Sequence, residues 1–243
     1  MLSFGTLSSA AWLGAWLSRR AQSADTNWRE GFGVVQAATL TLLALIIGFS
    51  FSMATNRYDQ RKNFEEAEAN AIGTEFVRAD LLPAVDASKM RSLLRTYLDQ
   101  RILFYTSLDT RHLEQVNDRT VQLQGELWSA VRAPAIAQPN PVTALAVSGA
   151  NDVLNAQGYT QAAWWNRIPA AAWGLMGVIA VFCNVLVGYG MRGTRPARTL
   201  LLVLPLVTST SFMLIADIDT PRHGIIRVMP QNLESLVRSL PNR

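Results

Sequence analysis

The 243 residues carry a net charge of +4, yet only 16% are charged and 49% are hydrophobic, where an ordinary soluble domain has roughly a quarter charged. The deficit is segregated into long uncharged runs around a polar middle, which excludes an ordinary soluble fold. The arginines flank those runs and form no basic stripe interleaved with aromatics, which excludes nucleic acid as a partner. The single cysteine, Cys183, excludes an intrachain disulfide and a cysteine-based metal centre.

The first apolar stretch runs from Phe4 to Leu17 and ends in Arg19 and Arg20. A secretory signal has the reverse charge order. An interfacial helix, a re-entrant segment and a shortened span all fit so short a stretch. The next run, Gly31 to Asn56, is uncharged and ends at Arg57. At 1.5 Å per residue, about 20 apolar residues cross a hydrocarbon core of about 30 Å, so this run predicts a transmembrane helix. Beyond it, Arg57 to Asp80 is rich in helix formers, with no proline before Pro83, and predicts a continuation of the same helix.

A second polar helix is expected after Asp86 or Ser88 as N-cap, with Met90, Leu94, Tyr97, Leu98 and Arg101 on one 3.6-residue stripe. A third is expected from about Arg111 to Val131. Pro134 to Pro141 reads as a loop, and Pro141 suits the first turn of a fourth helix reaching toward Tyr159. Further apolar runs cover Ile168 to Met191 and Thr199 to Ala216. Trp28, Trp164, Trp165, Trp173 and Tyr189 stand at run ends, where aromatic rings with a polar handle favour the headgroup level.

The predicted fold class is thus an all-α membrane protein with three clear transmembrane helices, a short N-terminal apolar segment, and a helical bundle inserted between the first and second clear spans. The segments are 1–30 (apolar or interfacial), 31–56 (transmembrane), 57–167 (polar bundle), 168–191 (transmembrane), 192–198 (basic loop), 199–216 (transmembrane) and 217–243 (C-terminal). Arg192, Arg195 and Arg198 predict a cytoplasmic loop. With three spans the polar bundle would then face outward.

Enzyme chemistry is not expected. His112 and His223 read as surface residues, and no phosphate-cradling loop or nucleophile elbow occurs. No cofactor and no metal site is predicted. Glu65, Glu66 and Glu68 read as a solvated helix face. Gly174, Gly177, Gly188 and Gly190 read as points of close helix contact, and Asn184 with Thr208 to Ser211 as sources of interhelical hydrogen bonds. Asp217, Asp219, Pro221 and Gly224 read as a structural acidic turn, with one aspartate satisfying the turn's backbone donors and the other pairing with Arg222 or Arg227; coordination of a cation by the two carboxylates is the alternative.

Three segments carry a resemblance. They are Gly48-Phe49-Ser50-Phe51-Ser52-Met53-Ala54-Thr55-Asn56-Arg57-Tyr58, then Glu68 to Gly73 with Arg78-Ala79-Asp80-Leu81-Leu82-Pro83, and the closing Asp217-Ile218-Asp219-Thr220-Pro221 through Gly224. The chain resembles the bacterial bestrophin-like domain family, distant relatives of the bestrophin anion channels, over nearly its whole length. The resemblance implies a homo-oligomer, pentameric in bestrophins, in the bacterial inner membrane. It implies a pore lined by the second span and narrowed by apolar side chains four residues apart. The matching positions are Thr41, Leu45 and Phe49, with Thr41 departing from the apolar pattern. Bestrophins follow the closing turn with an acidic run, whereas this chain has Ile225, Ile226, Arg227 and Val228, so calcium binding is not expected. The resemblance also implies both termini and the bundle in the cytoplasm, which requires four spans. The leading expectation is a multi-pass channel passing an inorganic anion such as chloride. The alternative is a non-conducting scaffold or sensor whose bundle binds a protein partner.

Overall fold

The computed structural model describes residues 2–20, 26–191 and 197–241. The described residues form α-helices, one 3₁₀ turn and connecting segments, with no strand. They are α1 (Leu2–Arg20), α2 (Thr26–Arg78), α3 (Ala84–Thr106), α4 (Thr110–Ala137), α5 (Pro141–Trp165), α6 (Ala170–Gly190), α7 (Ala197–Leu200), α8 (Val203–Asp219) and α9 (Gln231–Ser239), with the 3₁₀ turn at Ala79–Leu81. By length and apolarity, two stretches suffice to cross a membrane, Trp28–Leu81 and Pro141–Gly190.

The chain divides into two compact units. The apolar unit comprises Met1–Asn56 and Arg167–Thr220. Here the N-terminal segment forms a helix of 19 residues that packs along α6 and against α8. Two glycines set that approach. A Cβ on Gly14 would lie 2.0 Å from the Val185 carbonyl oxygen, and one on Gly188 would lie 2.0 Å from that of Ala11. Leu7 joins Leu43 of α2 and Ala180 and Cys183 of α6 in one apolar cluster. The basic loop fares differently: Arg192 and Arg195 lie outside the described residues. The last apolar run is not one helix, because α7 ends at Leu200 and α8 starts at Val203. Pro205 accounts for the break: its ring is tolerated in the first turn of α8 but would clash with a carbonyl four residues back in a continuous helix.

The polar unit comprises Arg57–Asn166 and Pro221–Arg243. Its core joins Ala69, Ile72 and Phe76 of α2 to Leu94 and Tyr97 of α3, Leu123 and Leu127 of α4, Val153 and Trp164 of α5, and Leu233 of α9. The N-cap of α3 is Pro83, not Asp86 or Ser88, since a proline already holds the extended backbone that precedes a helix. The expected loop from Pro134 to Pro141 is also corrected. The α4 helix runs through the buried Pro134 to Ala137, and Gln138 N donates to the Pro134 carbonyl at 2.9 Å. A proline's lost hydrogen bond is tolerated there, in the last turn. Asn140 then caps α5, its Oδ1 accepting from Val142 N and Thr143 N, both at 2.9 Å, with Pro141 in the first turn.

Candidate functional site

Within the apolar unit α2 is almost uncovered: only 6% of its most apolar stretch is buried. Residues four apart share a helix face. Thr41, Leu45 and Phe49 lie on one such face, all exposed, Leu45 by 51% and Phe49 by 68%. Leu43, Ser50 and Ala54, on the other side of the helix, are buried. The Thr41 hydroxyl donates to the Ala37 carbonyl at 2.9 Å, so its polar group is spent on its own helix. A separate apolar groove of about 440 Å³ lies between α2 and α8, lined by Leu40, Ile47, Gly48 and Phe51 on one side and Leu204 and Val207 on the other.

Several expectations about polar groups in this unit change. Asn184 Nδ2 donates to the Ala180 carbonyl at 2.8 Å, Thr210 Oγ1 to that of Leu206 at 2.9 Å, and Ser211 Oγ to that of Val207 at 2.9 Å. These bonds stay within one helix, because a short side chain reaches the carbonyl four residues back more easily than a neighbouring helix. One interhelical bond is made by Cys183, whose thiol donates to the Thr39 carbonyl at 3.3 Å. Gly188 is a point of close contact, but a Cβ on Gly174 or Gly177 would meet nothing within 4 Å in this chain.

In the acidic turn, Asp219 is buried, and its two oxygens accept from Ile168 N at 3.2 and 3.0 Å. Asp219 thereby holds the chain entering α6. Asp217 and Gly224 are half-buried, and Pro221 is buried. In the polar unit Arg222 donates to the Phe104 and Ser107 carbonyls at 2.6 and 3.2 Å, closing the C-terminus of α3. Its guanidinium lies 4.6 Å from the Phe104 ring centroid and 4.4 Å from that of Trp164. His112 and His223 are exposed.

The polar half of α2 departs most from expectation. Glu66 is solvated, but Glu65 and Glu68 are buried, as are Arg61 and Glu75. Arg61 donates from Nε to the Ala163 carbonyl at 3.2 Å and from Nη2 to that of Asn166 at 3.0 Å, closing the C-terminus of α5. Glu65 does the converse for α9, whose N-cap Pro230 offers no side-chain cap. Its Oε1 accepts from Asn232 N at 2.9 Å and Leu233 N at 3.0 Å, and its Oε2 from Asn232 Nδ2 at 2.6 Å. A carboxylate on a helix N-terminus and a guanidinium on a C-terminus both complement the helix dipole.

Glu68 and Arg101, both 0% exposed, form a two-point ion pair through Nε–Oε1 and Nη2–Oε2. Tyr105 and Thr160 hydroxyls donate to Glu68 Oε2 at 3.3 and 3.2 Å. Burial first, and then the Glu68 charge, push the Tyr105 phenol far above its ordinary range, so it remains a neutral donor. A signal for this arrangement was present in the sequence. At 100° per residue, Arg61, Glu65, Glu68 and Glu75 share the face of Ile72 and Phe76. Residue type alone, read as solvated, concealed it.

The fold and the long uncovered helix define a helical protein with one apolar and one polar helical unit. The bestrophin-like domain model matches residues 5–233, and the chain belongs to the bestrophin-like family. Among solved structures, a bacterial bestrophin homologue from Klebsiella pneumoniae is 14% identical, with a TM-score of 0.68, over 97% of this chain and 98% of that one. Two mutant forms of that homologue give TM-scores of 0.70 (14% identity, 98% of each chain) and 0.69 (12% identity, 98% of this chain and 96% of that one). These likenesses show a shared fold. No curated protein matches the sequence.

Proposed function

We propose that the protein is a homo-oligomeric channel for an inorganic anion such as chloride, multi-pass in the bacterial inner membrane, with α2 lining the path. The observation that carries this reading is the open face of α2. Leu45 and Phe49 are large apolar side chains left exposed on a helix with almost no covering. Family membership supplies the class, since the bestrophins that the sequence resembles are anion channels rather than enzymes. A ring of such side chains around an axis disfavours water and restricts conduction without any reactive group. In this reading α1 is a fourth span: its 19 residues reach about 28 Å at 1.5 Å each, close to the hydrocarbon thickness. Thr41 with its hydroxyl bonded back to the helix contributes largely its methyl group, which reduces its departure from the apolar pattern.

The test is flux. Purified protein reconstituted into chloride-loaded liposomes should release chloride when a counter-ion path is provided, in proportion to the protein added. Absence of flux across a range of ionic conditions and pH would favour the scaffold reading, in which the polar unit binds a protein partner.

A further inference from the structure

On the buried face of α2 the chain surrounds carboxylates with donors. Glu65 accepts from two backbone amides and one side-chain amide, and Glu68 from Arg101, Tyr105 and Thr160. Glu75 lies on that face and is 0% exposed, yet neither of its oxygens has a hydrogen-bond partner among the described residues. Its carboxyl is pressed onto the backbone of α5: a Cβ on Gly149 would lie 1.9 Å from Glu75 Oε2 and 2.9 Å from Arg78 Nη1. The charged groups facing it are Arg78 from its own helix and Asp152 from α5. Those two are paired with each other at 3.4 Å, and Asp80 of the 3₁₀ turn is paired with Arg91. Arg78 is therefore already engaged, and its charge is shared with a second carboxylate.

We propose that Glu75 is a proton-binding catch: neutral, it lets α5 seat its Gly149 backbone on the buried face of α2, and ionised, it forces that contact apart. The physical reason is desolvation. A buried carboxylate without donors is costly, and the group keeps its proton instead. Burial, only partly offset by Arg78 and reinforced by Asp152, pushes the Glu75 carboxyl up to about 8. When the proton leaves to solvent, the charge must find water or Arg78. With Arg78 already held by Asp152 and no room above Gly149, water reaches the charge only if α5 lifts. The folded-state value lies above the ordinary 4.5, so the folded unit holds the extra proton. Its stability falls as pH rises between about 4.5 and 8 and levels off above that.

The full chain in detergent micelles, followed by infrared difference spectroscopy against pH, tests the first half. Wild type should show a neutral carboxylic-acid C=O band that is lost with a midpoint near 8 and is missing from Glu75→Gln. Asp152→Asn, a change at an exposed position, should lower that midpoint and keeps the test open if Glu75→Gln fails to fold. The second half is read from a buried position on α5. In a Cys183→Ser background, the reactivity of Val153→Cys toward a water-soluble thiol reagent, relative to the same site with Glu75→Gln, should rise severalfold through the transition. A band insensitive to both Glu75→Gln and Asp152→Asn, or a reactivity ratio that stays flat from pH 6 to 9, would overturn the proposal. Neither readout involves ion flux, so the outcome is independent of the channel reading.

Discussion

Arg101 and Glu68 hold each other's charge where water does not reach. Removing one partner strands the other, a change that costs about 3–5 kcal/mol for a buried pair. Arg101→Met should therefore lower the thermal unfolding midpoint sharply, followed by helical circular dichroism in detergent. Combining it with Glu68→Leu should recover much of that loss, because no uncompensated charge remains. Additive losses in the double variant would show that the two side chains act separately. The same residues mark the limit of reading charge from composition. Glu65, Glu66 and Glu68 look alike in sequence, and only helical phase separates the solvated Glu66 from the two that face α9 and α3. The caps they supply are long-range. Glu65 meets α9 across a separation of 167 residues, which no local pattern announces.

At the scale of the element, α2 decides the functional question. If Leu45 and Phe49 narrow a path, Leu45→Ala with Phe49→Ala should wet it and raise chloride flux in liposomes, with the oligomer intact on size-exclusion chromatography. If they pack against a neighbour instead, truncation leaves a cavity costing roughly 2–5 kcal/mol, and assembly weakens with no gain of flux. The readings differ in sign, so a single paired measurement separates them. Long elements with strong periodicity were legible beforehand. The continuation of the apolar run into a polar helix ending near Pro83 was read from helix formers and the absence of breakers, and α2 ends at Arg78 before a 3₁₀ turn. Prolines were less legible because their effect depends on position. Pro141 opens α5 as expected, Pro134 is carried inside α4, and Pro205 divides the last apolar run. Helix–helix bonding was the least legible. The lone thiol of Cys183 reaches the α2 backbone, while Thr210 and Ser211, expected to bond between helices, turn back on their own helix.

For the whole molecule, the number of spans fixes sidedness. With α1 as a fourth span, the connections around residues 21–25 and 192–196 share one side of the bilayer, and the termini share the other with the polar unit. Arg19, Arg20 and Arg29 flank the first connection, and Arg192, Arg195 and Arg198 lie in or beside the second. In the proposed four-span reading, the charge rule predicts that these short connections face the cytoplasm. A unique thiol made by Thr194→Cys in a Cys183→Ser background should therefore resist a membrane-impermeant reagent in intact cells and react after lysis. Ready labelling from outside would place the polar unit and both termini in the cytoplasm, the arrangement that the bestrophin resemblance implies.

The polar unit is discontinuous along the chain, built from Arg57–Asn166 and then from Pro221–Arg243. A ribosome adding about 5–20 residues per second delivers Asn232 on the order of ten seconds or more after Glu65. During that interval α6, α7 and α8 are made. Glu65 waits without the amides of α9, and the carbonyls ending α3 wait for Arg222. The soluble-looking half of the protein thus reaches its final form only after the greasy half has been synthesised. A nascent chain stalled before Pro221 would carry a bundle with an unfilled slot beside Gly73, where Leu236 comes to rest.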